Sequence, residues 1–124
     1  MSKRKLVFVV DDDIGTLRSV QRLLREHGYD SVPFASADAF QKHDDLDRAI
    51  CVILDINLHD QSGIEVRHRL KLAGIGLPVI YITGNDSNAT RMAAMESGCL
   101  AYLTKPFAAR SLIEPVERAS TGRA

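Results

Sequence analysis

Apolar residues in this chain fall into five short runs, and after each run the apolar positions recur at helical spacing. The first run, "KLVFVV" (5–10), reads as a strand. Behind it Leu17, Val20, Leu24 and His27 lie three or four apart, with Leu23 beside them, which predicts a helix capped by Asp13 and stopped at Gly28. "SVPFA" (31–35) is a second strand. Pro33 within it predicts a sheet edge, where a missing N–H is tolerated. Ser36 can cap a helix running to about His43. "AICVIL" (49–54) is apolar on both faces, as a central parallel strand should be. Ser62-Gly63-Ile64-Glu65 has the spacing of a capping box and predicts a third helix ending near Gly74. "PVIYIT" (78–83) is a fourth strand, Asp86 to Ser97 a fourth helix stopped by Gly98, "LAYLT" (100–104) a fifth strand, and Ala108 to about Ser120 a fifth helix.

Strict alternation of five strands and five helices predicts an α/β fold, a doubly wound parallel sheet covered on both faces. In such sheets ligands bind beyond the carboxyl ends of the strands. Four of the five strand ends carry chemistry: Asp11-Asp12-Asp13, then Asp55, then Thr83, then Lys105. Two ionised carboxylates ~4 Å apart repel by roughly 4 kcal/mol at an effective dielectric of about 20. Either they splay into water, or something positive sits between them. Successive strand residues face opposite ways, so Asp11 and Asp12 converge only if Asp12 lies past the last pleat. Oxygen ligands suit a hard ion such as Mg²⁺. Lys105 and Thr83 are the charge and the donor that hold phosphoryl oxygens. Asp55, alone on the middle strand, is the candidate nucleophile for an acyl phosphate.

Composition narrows the classes. Sixteen Lys+Arg balance sixteen Asp+Glu in 124 residues, which removes the electrostatic footprint of a nucleic-acid binder or polybasic membrane binder. The apolar runs are far too short to span a bilayer, and Ser2-Lys3-Arg4-Lys5 precedes no signal-peptide core. Cys51 and Cys99 form neither a disulfide framework nor a metal spacing, and Cys51 reads as a buried thiol in a reducing compartment. One soluble cytoplasmic domain over 1–124 is expected. His43, His59 and His68 share no metal spacing, and His27 reads as a favourable helix C-terminal residue. Met92 and Met95 read as core gap-fillers, and "HDDLDR" (43–48) as a solvated acidic turn.

"VVDD", "ILDINLHDQSG", "YITGN" and "YLTKPF", in this order and spacing, resemble the receiver domain of two-component response regulators over about 5–119. "SADAF" and "IEPVERAS" are most similar to receivers of the nitrogen-fixation regulator type. The resemblance implies a flavodoxin-like (βα)5 fold with strand order 2-1-3-4-5. It implies Asp55 as phosphoacceptor from a histidine kinase or phosphotransfer protein. Mg²⁺ would be held by Asp11, Asp12, Asp55 and the main-chain carbonyl of Asn57. Thr83 and Lys105 would bind the phosphoryl group, Tyr102 would be the switch aromatic, and Pro106 would follow a cis bond. Phosphorylation would shift the face of helix four, strand five and helix five toward an unknown downstream protein, as a monomer or a phosphorylation-dependent dimer. Such a domain is a switch rather than a metabolic enzyme, with only its own phosphorylation and dephosphorylation to promote. Asn57 and Asn85 would flank an attacking water and set the phosphorylated lifetime.

Three departures stand out. His59 replaces the family's usual proline; it is either a solvated loop histidine or an imidazole that makes dephosphorylation pH-dependent between pH 5 and 8. Pro115 falls within helix five, where it should kink the helix. No output domain follows Ala119, so a stand-alone receiver is expected over one cut from a larger chain. Two rivals remain: a receiver-like module that binds partners without phosphorylation, and a haloacid dehalogenase-type phosphatase with Asp11 as nucleophile and Asp13 as acid/base. The second puts Ile14 where that family has glycine and leaves Asp55 without a role.

Overall fold

The computed structural model describes residues 4–122; the first three and last two residues of the expected domain lie outside the described residues. Each apolar run forms a strand and each periodic segment a helix. In chain order they are β1 (Leu6–Val10), α1 (Ile14–Glu26), β2 (Asp30–Phe34), α2 (Ala37–Gln41), β3 (Cys51–Asp55), α3 (Gly63–Leu72), β4 (Val79–Thr83), α4 (Asn88–Ser97), β5 (Ala101–Thr104) and α5 (Ala109–Gly122). All four strand pairings are parallel, in the order β2-β1-β3-β4-β5. Pro33 therefore sits on an edge and β3 at the centre, as the sequence predicts. No helix among the described residues is long and apolar enough to cross a membrane.

Strand alternation divides the core into two layers. Phe8, Val10, Val52, Leu54, Val79 and Tyr81 pack with Phe40 of α2 and with Val66 and Leu70 of α3. Val7, Val9, Cys51, Ile53, Ile80 and Ile82 pack with Leu17, Val20 and Leu24 of α1 and Leu112 and Val116 of α5. Helices on both faces are what parallel strands with long crossovers demand.

Local chemistry sets the helix ends. Asp13 caps α1 by accepting from the Thr16 N–H at 3.3 Å and its hydroxyl at 2.7 Å. At the other end Tyr29 N donates to Leu24 O and Gly28 N to Arg25 O, a Schellman closure that needs the positive φ of Gly28 (87°). Ser62 caps α3 through the Ile64 N–H. Glu65 reaches forward to Arg69 at 3.4 Å, one turn on, so the predicted reciprocal half of the capping box is not made. The cap of α4 is Ser87, and the helix begins two residues later than predicted because Asp86 bonds elsewhere. The "HDDLDR" segment is not wholly a solvated turn: a 3-10 turn at Leu46–Arg48 buries Leu46. Helix α5 runs on through buried Pro115.

Met92 and Met95 do not fill the core; they are 63% and 55% exposed. The sheet side of α4 is taken by Ala94 and Ser97, the helix's two buried residues, and at 3.6 residues per turn both methionines fall off that stripe. Small residues leave room there for the long side chain of Tyr81 on β4, which shares a core layer with Ala94. There the buried Tyr81 hydroxyl meets Ser97 Oγ at 2.7 Å, and Ser97 Oγ donates to Ala94 O at 2.7 Å. Tyr81→Phe is expected to cost about 1 kcal/mol, one buried hydrogen bond, read as a lower urea midpoint at unchanged slope.

Candidate functional site

The parallel ladder continues by one bond past the strands, at the residues that carry chemistry. Asp11 N donates to Phe34 O at 3.0 Å, Ile56 N to Ile82 O at 3.0 Å and Lys105 N to Thr83 O at 2.8 Å. Asp55 and Thr83 are the last residues of β3 and β4, while Asp11 and Asp12 follow β1 in the turn. The sheet itself thus holds the main chain of the site. Carboxylate oxygens of Asp11, Asp12 and Asp55 lie within 4.8 Å of one another. Asp13 is not in this group, because its carboxylate is committed to capping α1.

Each buried carboxylate is oriented by a main-chain N–H two residues ahead. Asp11 Oδ1 accepts from Asp13 N at 2.9 Å and Asp55 Oδ1 from Asn57 N at 3.1 Å. Their other oxygens face Lys105, whose Nζ lies 2.7 Å from Asp11 Oδ2 and 3.6 Å from Asp55 Oδ2. Burial raises the Asp55 pKa, and the charge of Asp11 adds to the rise, against the Asn57 N–H and Lys105. Burial works against the Lys105 charge as well, but the hydrogen bond to Asp11 and the charge of Asp55 outweigh it and hold that pKa above the ordinary lysine value. One ammonium among three carboxylates leaves the site negative. Its all-oxygen donor set fits a hard divalent ion that keeps several waters.

The loop after β3 ties the site to its surroundings. The buried Thr83 hydroxyl donates to Asn57 Oδ1 at 2.6 Å and accepts from Asn85 N at 3.0 Å. His59 N donates to Asp12 Oδ2 at 2.9 Å, and the His59 ring, 92% exposed, lies 3.2 Å from the same oxygen. It is solvated, yet beside the acidic cluster. Asp60 accepts from Asp38 N and Ala37 N at the start of α2, and these bonds, the first above all, hold its pKa down. Tyr102 is turned outward: its hydroxyl donates to Asp86 at 2.8 Å, and Arg91, bonded to Asp86 at 2.8 Å, lies 5.0 Å over its ring. Lys105–Pro106 is cis.

All the predicted strand-end residues therefore reach one rim, with Tyr102 on the neighbouring face. Sequence reading missed the Asn57–Thr83 bond, the Asp60 tie to α2 and the Asp86–Arg91–Tyr102 cluster. Their partners lie 26, 22 and 16 residues apart, with only Arg91 near Asp86, so no local spacing marks them.

Residues 7–117 match the family model of the response regulator receiver domain. The chain belongs to that family. Among curated relatives, Nodulation protein W of Bradyrhizobium diazoefficiens is 34% identical over 119 residues, 96% of this chain and 52% of the relative. Response regulator MprA of Mycolicibacterium vanbaalenii is 37% identical over 109 residues, 86% of this chain and 46% of that protein. The chain spans about half the length of the curated relatives it matches. Among solved structures, a receiver protein from Pseudoalteromonas atlantica superposes with a TM-score of 0.90 at 26% identity, covering 96% of this chain and 99% of that one. The FixJ-N crystal structure gives 0.87 at 28%, covering 99% and 98%. The receiver fold, the strand order and the membership of a signalling-switch family agree with the sequence reading.

Proposed function

We propose that this receiver accepts a phosphoryl group on Asp55 from a phosphohistidine, carried by a histidine kinase or phosphotransfer protein, in a Mg²⁺-dependent reaction in the cytoplasm. The observation that carries the reading is one rim on which three carboxylates, a buried hydroxyl and a lysine ammonium meet, with Asp55 oriented by the Asn57 N–H. Asp11, Asp12, Asp55 and the Asn57 carbonyl hold the ion, which when bound screens the negative charge of nucleophile and phosphoryl oxygens from each other. Asp55 Oδ2, the oxygen facing Lys105, attacks phosphorus. The O–P bond forms as the donor's P–N bond breaks, and the electron pair returns to the imidazole, which takes a proton from solvent. Lys105 and Thr83 then bind the new phosphoryl oxygens.

The readout follows from Thr83 and Tyr102. As Thr83 moves toward the phosphoryl group, Tyr102 leaves Asp86 and Arg91 and turns inward. The surface of α4, β5 and α5 changes accordingly for a downstream protein partner. Asn57, His59 and Asn85 stand around the entrance and set how fast water reaches the acyl phosphate. The unit that does this runs from about residue 5 to residue 119.

Incubation with Mg²⁺ and acetyl phosphate tests the reading by intact-mass measurement. One added phosphoryl group, lost in Asp55→Asn and without added Mg²⁺, is expected. An unchanged mass supports a module that binds partners without phosphorylation. Continuous release of phosphate that survives Asp55→Asn and stops in Asp11→Asn supports a hydrolase. Either result ends the proposal.

A further inference from the structure

A hydroxyl has one proton to donate, and that of Thr83 is already engaged. It points to Asn57 Oδ1 at 2.6 Å, while the hydroxyl oxygen accepts from Asn85 N at 3.0 Å. Thr83 is fully buried, so its rotamer is set by these partners rather than by solvent. Asn57 is linked to the acceptor residue at the same time, since its own N–H holds Asp55 Oδ1 at 3.1 Å. One residue therefore touches the nucleophile through its main chain and the threonine through its side chain.

We infer that the Asn57 side chain is a positioning residue that restrains Thr83, so that a phosphoryl group on Asp55 must win the threonine proton from Asn57 before the switch can move. The inference rests on the phosphoacceptor reading of Asp55 and adds a threshold to it. The carboxamide and the phosphoryl oxygens compete for one donor. A bond to a neutral amide is the weaker of the two, and an anionic oxygen displaces it. The exchange still removes a 2.6 Å contact, so part of the energy of phosphoryl binding goes into breaking it. The Asn57 main-chain carbonyl and N–H are unaffected by the side chain, so the threshold can be changed separately from the proposed metal site. Asn57 is exposed and its main chain is held by the short bridge to Ser62, so truncating the side chain leaves the loop's backbone support in place.

The test uses beryllofluoride with Mg²⁺ as a stable phosphoryl mimic, titrated by NMR into the native chain, Asn57→Ala, Thr83→Ala and the double variant. Asn57→Ala is expected to bind roughly three- to tenfold more tightly, the equilibrium equivalent of one net hydrogen bond. In the Thr83→Ala background the same change is expected to have no effect, because no proton is left to compete for. Affinity for Mg²⁺ alone is measured on every variant and divided out, so that a change at the ion site does not count as a change at the threonine. Equal or weaker beryllofluoride binding by Asn57→Ala overturns the inference, as does an equal gain with and without Thr83. If the native chain itself takes up no beryllofluoride, the phosphoacceptor reading fails and this inference falls with it.

Discussion

Gly63→Ala is expected to destabilise the fold by roughly 2–3 kcal/mol, near the top of the usual range for overpacking. Helix α3 starts against the end of β3, where Gly63 N donates to Ile56 O at 2.9 Å. A β-carbon at this position would run into the Asp55 carbonyl oxygen and lie 3.0 Å from the Ile56 α-carbon. Both obstacles are backbone, so no side-chain rotation relieves them. The backbone of β3 is itself fixed between β1 and β4. Relief therefore requires α3 to back away, which strains the Gly63 N–Ile56 O bond, or Asp55 to shift, which misplaces the carboxylate that Asn57 and Lys105 orient. A lower urea midpoint together with slow phosphoryl uptake from acetyl phosphate is the expected pair of results. Gly76→Ala, with nothing within 4 Å of the added carbon, serves as the control and should stay within about 0.5 kcal/mol of the native chain. Native-like stability of Gly63→Ala would mean that the approach of α3 to β3 is looser than described.

Lys105→Met and Asp55→Asn are expected to move stability in opposite directions while both block the switch. The side chains of Asp11 and Asp55 are only 1% and 5% exposed, and Lys105 is the ammonium facing them. Removing it leaves two buried carboxylates facing each other. Breaking a buried pair costs ~3–5 kcal/mol; because Lys105 keeps a quarter of its side chain in water, a loss of about 1–3 kcal/mol is expected here. Asp55→Asn does the reverse. The asparagine keeps an oxygen for the Asn57 N–H but removes a charge that burial and Asp11 both disfavour, and a gain of about 0.5–2 kcal/mol is expected. The sign follows from linkage. A carboxyl whose folded pKa is raised costs the native state stability as pH rises through that value, so the gain is present at neutral pH and disappears in acid, where native Asp55 is protonated. Thermal unfolding of the two variants and their double at neutral pH measures both terms and their coupling. Added Mg²⁺ should recover part of the Lys105→Met loss by binding the folded form. If Asp55→Asn is the less stable protein, the carboxylates do not oppose one another as described.

Pro33, "AICVIL" and Gly28 show why so much of the fold could be read from the chain. A proline that cannot donate selects an edge, a run buried on both faces selects the sheet centre, and a glycine able to adopt positive φ ends a helix. These are properties of one residue or a few neighbours. The site was legible for a related reason. In a parallel sheet the strand ends lie on one rim, so Asp11, Asp12, Asp55, Thr83 and Lys105 could be brought together from their order along the chain alone.

Met92 and Met95 show the limit. Helical spacing states that a face exists, but Ala94 and Ser97 took the sheet side of α4 because Tyr81 offered a buried hydroxyl there. Asp86 left the helix start for Tyr102 and Arg91, and Glu65 left its capping box for Arg69. The amino-acid sequence determined the alternation, the strand order expected of the family and the residues of the rim, because steric and hydrophobic demands act on short segments. Only the tertiary structure decided which polar groups pair, including Thr83 with Asn57, because hydrogen bonds are short-ranged and their partners become neighbours only after the sheet has assembled.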